Sequence, residues 1–178
     1  MKKVLFLMSA MLIITLSSFS QANFQWEKTD SVGKTKDQIY ADTKMFIAQT
    51  WKSAKDVIQN DDKESGVILI KGLNTQIIPS GSFSSKPNYY FKYNVTFRMK
   101  DNKYRISINN VECIEASYRT YNYKLIQPFD GGEENAPSTA VLSKKKSVEM
   151  MVSLRNDLQS IVDQYMLYIK TPKAVDNF

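Results

Sequence analysis

The side chains best placed to do chemistry in this chain are cationic. Lys92, Arg98, Lys100, Lys103 and Arg105 fall within a stretch, Tyr89 to Ile108, where polar and apolar residues alternate. Tyr89, Phe91, Tyr93, Val95, Phe97 and Met99 occupy the odd positions, and Lys92, Asn94, Thr96, Arg98 and Lys100 the even ones. This is the period-2 pattern of a strand with one buried and one wet face. Asp101-Asn102 offers a two-residue turn, because both residue types tolerate left-handed backbone. A turn there pairs Lys100 with Lys103, Met99 with Tyr104, Phe97 with Ile106 and Val95 with Ile108, and it sets Arg98 opposite Arg105. The wet face then carries all five cations beside Asn94, Thr96, Ser107 and Asn109, a set suited to phosphate, sulfate or carboxylate groups. Directly opposed like charges destabilise a sheet, so something must offset them. The plainer reading is a solvated face compensated by Glu112, Glu115 or acids of a neighbouring hairpin, since exposed cations splay into water.

Other chemistries are poorly supplied. The chain has no histidine, which excludes a histidine base, Ser-His and Cys-His pairs and imidazole zinc ligands. Ser143 and Lys146 have S-x-x-K spacing, but the companion elements of that nucleophile class are missing. Asp61 with Asp62, or Glu133 with Glu134, could serve as acid and base in glycoside cleavage, yet both pairs sit in polar turns with nothing apolar to raise one pKa. Asp61-x-Lys63-x-Ser65-Gly66 fails as a calcium loop because a lysine holds its third position. The loop Asp130 to Asn135 has weak calcium character, and Asp30-Ser31-Val32 has the form of a short glycosylation signal. Tyr118, Tyr121 and Tyr123 near Arg119 suit stacking on sugars or packing on the core. No cofactor or metal site is expected.

Several elements must position the cations. Phe24 and Trp26 suggest a first strand. Thr35 with Gln38 forms a capping box ahead of Ile39, Phe46, Ile47, Trp51 and Ala54, predicting a helix of about 18 residues. Val57 to Gln59 and Val67 to Ile70 read as strands around the turn Asn60 to Gly66, and Pro79 to Pro87 reads as a loop. Beyond Ile108 the apolar parity shifts to Val111 and Cys113, which predicts a bulge near Asn109-Asn110. Pro128 to Thr139 reads as another loop. Val148, Met151, Val152, Leu158, Ile161, Val162, Tyr165, Tyr168 and Ile169 then recur at helical spacing up to Pro172. A start at Ser147 is expected, because Lys144 to Lys146 in the first turn would oppose the helix dipole. The result is an α+β fold of order β-α-β-β-β-β-α, an antiparallel sheet with helices on one face.

Residues 1–22 combine Lys2 and Lys3, an apolar run from Val4 to Leu16 and Ser20-Gln21-Ala22, the parts of a secretory signal cleaved after Ala22. The apolar run is too short to span a hydrocarbon core. Residues 23–178 are then one domain, expected in the periplasm or outside the cell, with no membrane span after cleavage. Losing Lys2 and Lys3 lowers the formal charge from +6 to +4, which favours anionic partners mildly and does not mark a nucleic-acid binder. A single cysteine, Cys113, leaves no intramolecular disulfide, and it is expected as a small buried hydrophobe.

With these elements in place, the chain resembles a family of small exported bacterial proteins of unknown function with a TATA-binding-protein-like (TBP-like) fold. The resemblance rests on the helix ending near Trp51, on Asp61-Asp62-Lys63-Glu64-Ser65-Gly66 followed by Val67 to Gly72, and on Lys100-Asp101-Asn102-Lys103-Tyr104-Arg105. The last motif usually has glycine in its turn, where this chain has Asn102. The resemblance implies a curved sheet backed by helices and implies no catalytic residue. The function expected is therefore noncatalytic: binding of an envelope protein or an anionic glycan or lipid through the polar sheet face. The alternative is a carboxylate-dependent hydrolase of envelope polysaccharide.

Overall fold

Alternation along residues 88–118 becomes two long strands, and everything else is arranged around them. The computed structural model describes residues 25–77, 88–118, 121–123, 127–128 and 144–172. In chain order the elements are β1 (Trp26–Ser31), α1 (Lys36–Thr50), α2 (Ala54–Val57), β2 (Ile58–Asp62), β3 (Val67–Ile77), β4 (Asn88–Lys100), β5 (Lys103–Tyr118), β6 (Tyr121–Tyr123), β7 (Gln127–Pro128) and α3 (Lys144–Lys170). The principal strands lie in the order β1-β5-β4-β3-β2, all antiparallel, with β6 and β7 added to β5.

The β4–β5 register is the one the two-residue turn dictates: Lys100 faces Lys103, Met99 faces Tyr104, Arg98 faces Arg105, Phe97 faces Ile106 and Val95 faces Ile108. Asn102 takes the left-handed conformation (φ 60) that the turn requires. The tip is tied down: Val32 N–H donates to the Asn102 carbonyl at 3.0 Å, and Lys36 N–H at the start of α1 donates to the Asp101 carboxylate at 2.7 Å. The parity shift after Ile108 is a bulge, with Asn110 at φ 52 and the register slipping between Lys92 and Asn94. It returns Val111 and Cys113 to the buried face.

One face of the sheet is core. Phe97 lies 4.7 Å from the Tyr165 ring and 6.4 Å from Phe46, so β4, α1 and α3 meet at one aromatic cluster. Ile39, Phe46 and Ile47 of α1 and Met151, Leu154, Leu158, Val162, Tyr165 and Ile169 of α3 are buried against it. Thr43 is buried too, bonded to the Ile39 carbonyl at 2.7 Å and to the Tyr165 hydroxyl at 2.9 Å.

Four expectations are corrected. Helix α1 stops at Thr50, because Trp51 turns extended (ψ 133) and sets its ring edge-on against Phe46 at 6.0 Å; Ala54 starts a separate turn, α2. Val57 belongs to that turn, and β2 begins at Ile58. β3 runs on past Ile70 to Ile77 because its polar end is paired: the buried Gln76 amide donates to Asp157 of α3 at 2.7 Å. α3 begins at Lys144 instead of Ser147, and Val152 faces solvent while Met150 and Leu154 are buried. The dipole penalty of about 0.3–1 kcal/mol per charge is smaller than the burial of Met150 and Met151, and Lys146 pairs with Glu149 at 2.9 Å. Residues 1–22, Phe24, Pro79 to Pro87, Arg119, Asp130 to Asn135 with Glu133 and Glu134, and Ser143 lie outside the described residues; of Tyr118, Tyr121 and Tyr123 the structure describes the backbone, as a β5–β6 hairpin.

Candidate functional site

Strand alternation sends every second residue of β4 and β5 to the face opposite the helices. Near the turn these are Thr96, Arg98 and Lys100 on β4 and Lys103, Arg105 and Ser107 on β5. The neighbours on either side come from distant sequence: β1 places Thr29 opposite Arg105 and Glu27 opposite Ser107, and β3 places Val67 opposite Arg98. Together they shape a pocket of about 290 Å³ lined by Arg98, Lys100, Lys103, Arg105, Thr29, Ser65 and Val67, with Met99 and Tyr104 at its floor.

Its electrostatics are lopsided. Arg105 donates from Nε to the Thr29 hydroxyl at 2.9 Å, and one of its terminal nitrogens forms an ion pair with Glu27 at 3.3 Å. Among the described residues no carboxylate lies within ion-pair distance of Arg98, Lys100 or Lys103. Among the described residues, the four positive side chains of this concavity are therefore met by one carboxylate, Glu27, through Arg105. Lys92 does not join them. It stands three same-face positions from Arg98 along β4, about 20 Å away, and its ammonium pairs with Glu112 at 2.8 Å.

Gly66 closes the pocket's rim. It holds φ 67, donates to the Lys63 carbonyl and accepts from Met99 N–H at 2.8 Å; a Cβ there would meet the Met99 carbonyl oxygen at 2.4 Å. This fixes the β2–β3 turn, and so Ser65, against the end of β4.

The paired carboxylates take different routes. Burial acts to raise Asp61, but hydrogen bonds from Lys44 and Tyr40 of α1 outweigh it and hold its carboxyl below the ordinary value. Asp62 is also held low, by the Ser65 backbone and side chain. Neither has the raised pKa of a general acid. Among the described residues no group of three or more acids and cysteines is arranged to hold a metal ion.

Sequence reasoning found the four cations of the pocket and missed Glu27, Thr29, Ser65 and Val67. Glu27 and Thr29 are placed by the pairing of β1 with the distant β5, and Ser65 and Val67 by the pairing of β3 with β4, and no local pattern announces either register.

An antiparallel five-stranded sheet covered on one face by two long helices is an α+β protein of the TBP-like class. Residues 26–113 match the family described as "Domain of unknown function (DUF4468) with TBP-like fold" and belong to it. The chain is similar to a DUF4468 family protein from Bacteroides ovatus, with 17% identity over 85% of this chain and 88% of that one and a TM-score of 0.55. It is also similar to a TBP-like protein from Parabacteroides distasonis, with 13% identity over 80% of this chain and 92% of that one and a TM-score of 0.51. No curated protein matches the chain. At these identities the likeness is one of fold. No described helix is long and apolar enough to cross a membrane.

Proposed function

We propose that the protein is an exported, noncatalytic binding module whose ligand is an anionic envelope component, a phosphorylated or sulfated glycan or lipid or an acidic partner protein, held at the basic end of its open sheet face. The observation that carries this reading is the convergence of Arg98, Lys100, Lys103 and Arg105 on one pocket, where among the described residues only Arg105 has a carboxylate partner, Glu27. Like charges opposed across a sheet are unfavourable by several tenths of a kcal/mol per pair, and a bound anion reverses that sign. Export is read from the leader-like residues 1–22.

The test is a binding screen of the purified protein against phosphorylated and sulfated glycans, anionic lipids and envelope proteins, at low and high salt, repeated with Arg98→Glu plus Arg105→Glu. The proposal expects a salt-sensitive hit that the double variant loses. A wild type that binds nothing, or a double variant that binds as well, removes it.

A further inference from the structure

The pocket is a ladder with two unlike rungs. Arg98 and Arg105 form the inner rung, and Lys100 and Lys103 the outer rung beside the turn. Positions two apart on one face of a strand are separated by about 7 Å, so the two rungs of positive charge spring from backbone positions that far apart. The inner rung is the ordered one, since Thr29 and Glu27 hold the Arg105 guanidinium from the β1 side while Arg105 lines the pocket. A guanidinium offers a planar fork that engages phosphate or sulfate through two bonds, whereas an ammonium acts as a point charge. A single anion seated between the arginines leaves the lysine rung uncompensated.

We infer that the ligand carries two phosphate or sulfate groups on one scaffold about 7 Å apart, the first on Arg98 and Arg105 and the second on Lys100 and Lys103. This rests on the anion-binding reading above. The hydroxyls of Thr29 and Ser65 line the same pocket and suit the oxygens of a sugar or polyol between the two groups. A free sugar bisphosphate and a bis-anionic lipid headgroup share this chemistry.

The experiment compares glucose 1,6-bisphosphate with glucose 6-phosphate by calorimetry on the purified protein. In parallel it compares phosphatidylcholine vesicles doped with phosphatidylinositol 4-phosphate, whose inositol ring carries two phosphate groups, or with phosphatidic acid, which carries one, at equal total charge. The probe with two phosphate groups is expected to bind at least about 10-fold tighter, since its second group acts at high effective concentration. A preference in the soluble pair, the vesicle pair or both supports the inference and identifies the source. Lys100→Gln plus Lys103→Gln is expected to remove the preference, bringing the two probes within about 2-fold of one another, while Arg98→Gln plus Arg105→Gln loses both probes; circular dichroism checks that each variant is folded. Binding of both probes with no preference in either format overturns the two-rung inference and leaves the anion site standing. Preserved preference in the lysine variant also overturns it. No binding of any probe removes the reading beneath it.

Discussion

The two faces of the β4–β5 hairpin share one backbone and one register but carry opposite demands. On the inner face Val95, Phe97, Met99, Tyr104, Ile106 and Ile108 are all at most 1% exposed and belong to one core cluster with the buried residues of α1 and α3. On the outer face Arg98 stands across from Arg105 and Lys100 across from Lys103, contacts that raise the energy of the folded state. The inner face explains why the hairpin forms, and the outer face is tolerated because the inner one is so well packed. If the outer face binds as proposed, stability and recognition are therefore separable by side, and substitutions on the two sides have different signatures.

The largest effect belongs to the inner face. Phe97→Ala removes the ring that joins Phe46 and Tyr165 and is expected to cost about 3–5 kcal/mol in denaturant unfolding. Anion affinity of the remaining folded fraction should be unchanged. Gly66→Ala comes next: the left-handed backbone and the clash with the Met99 carbonyl predict a loss of about 1–3 kcal/mol, with the pocket rim distorted as well. A Gly66→Ala protein as stable as wild type would show that the β2–β3 turn is not anchored on β4. On the outer face, Glu27→Gln removes the acid that competes for Arg105 and is expected to tighten anion binding several-fold while moving stability by less than about 1 kcal/mol. Unchanged or weaker binding in a titration of that variant would place the ligand away from Arg105.

Acid and alkali probe the frame that holds the two faces. Asp30 is held below its ordinary value of 3.8 by a hydrogen bond from Lys170 of α3, and Asp61 and Asp62 are held low by the contacts described above. Groups with lowered folded pKa stabilise above their unfolded value and lose that contribution as pH falls through the folded one. Stability should thus decline below about pH 4. Burial pushes Tyr40, which also donates to Asp61, up to about 12, and Tyr104, which lies deep in the core, likewise to about 12. Raised groups contribute fully below the unfolded value of about 10, so melting temperature should fall as pH rises from there toward 12. A flat alkaline limb would mean that these hydroxyls are solvated.

The hairpin was legible in the sequence because its information is local: parity assigns each residue to a face, and a two-residue turn leaves one register. The bulge at Asn109-Asn110 was legible for the same reason, as a break in parity. The far end of β3 was not, because Asn74, Thr75 and Gln76 look like loop residues until Asp157, far along the chain, pairs with the Gln76 and Asn74 amides. Helix α3 shows its periodicity in the sequence, yet its first turn starts at Lys144 because the packing of Met150 outweighs the small dipole penalty, and the local charge pattern carries no sign of that packing. For the pocket, the cations could be read from alternation alone. Glu27 and Thr29, which orient Arg105, depend on the pairing of β1 with β5 and carry no local mark.

The most direct test of the account is the melting temperature of wild type and Arg98→Gln at low ionic strength, with and without a sulfated polyanion such as dextran sulfate. Arg98 has no carboxylate partner among the described residues, so its neutral variant should melt slightly higher than wild type when unliganded, by the equivalent of about 0.2–1 kcal/mol. The polyanion should raise the wild-type midpoint, by mass action on the folded state, and raise the variant's much less. A variant that melts lower than wild type without the polyanion, or that gains as much from it, would contradict the claim that this face sacrifices stability to hold an anion.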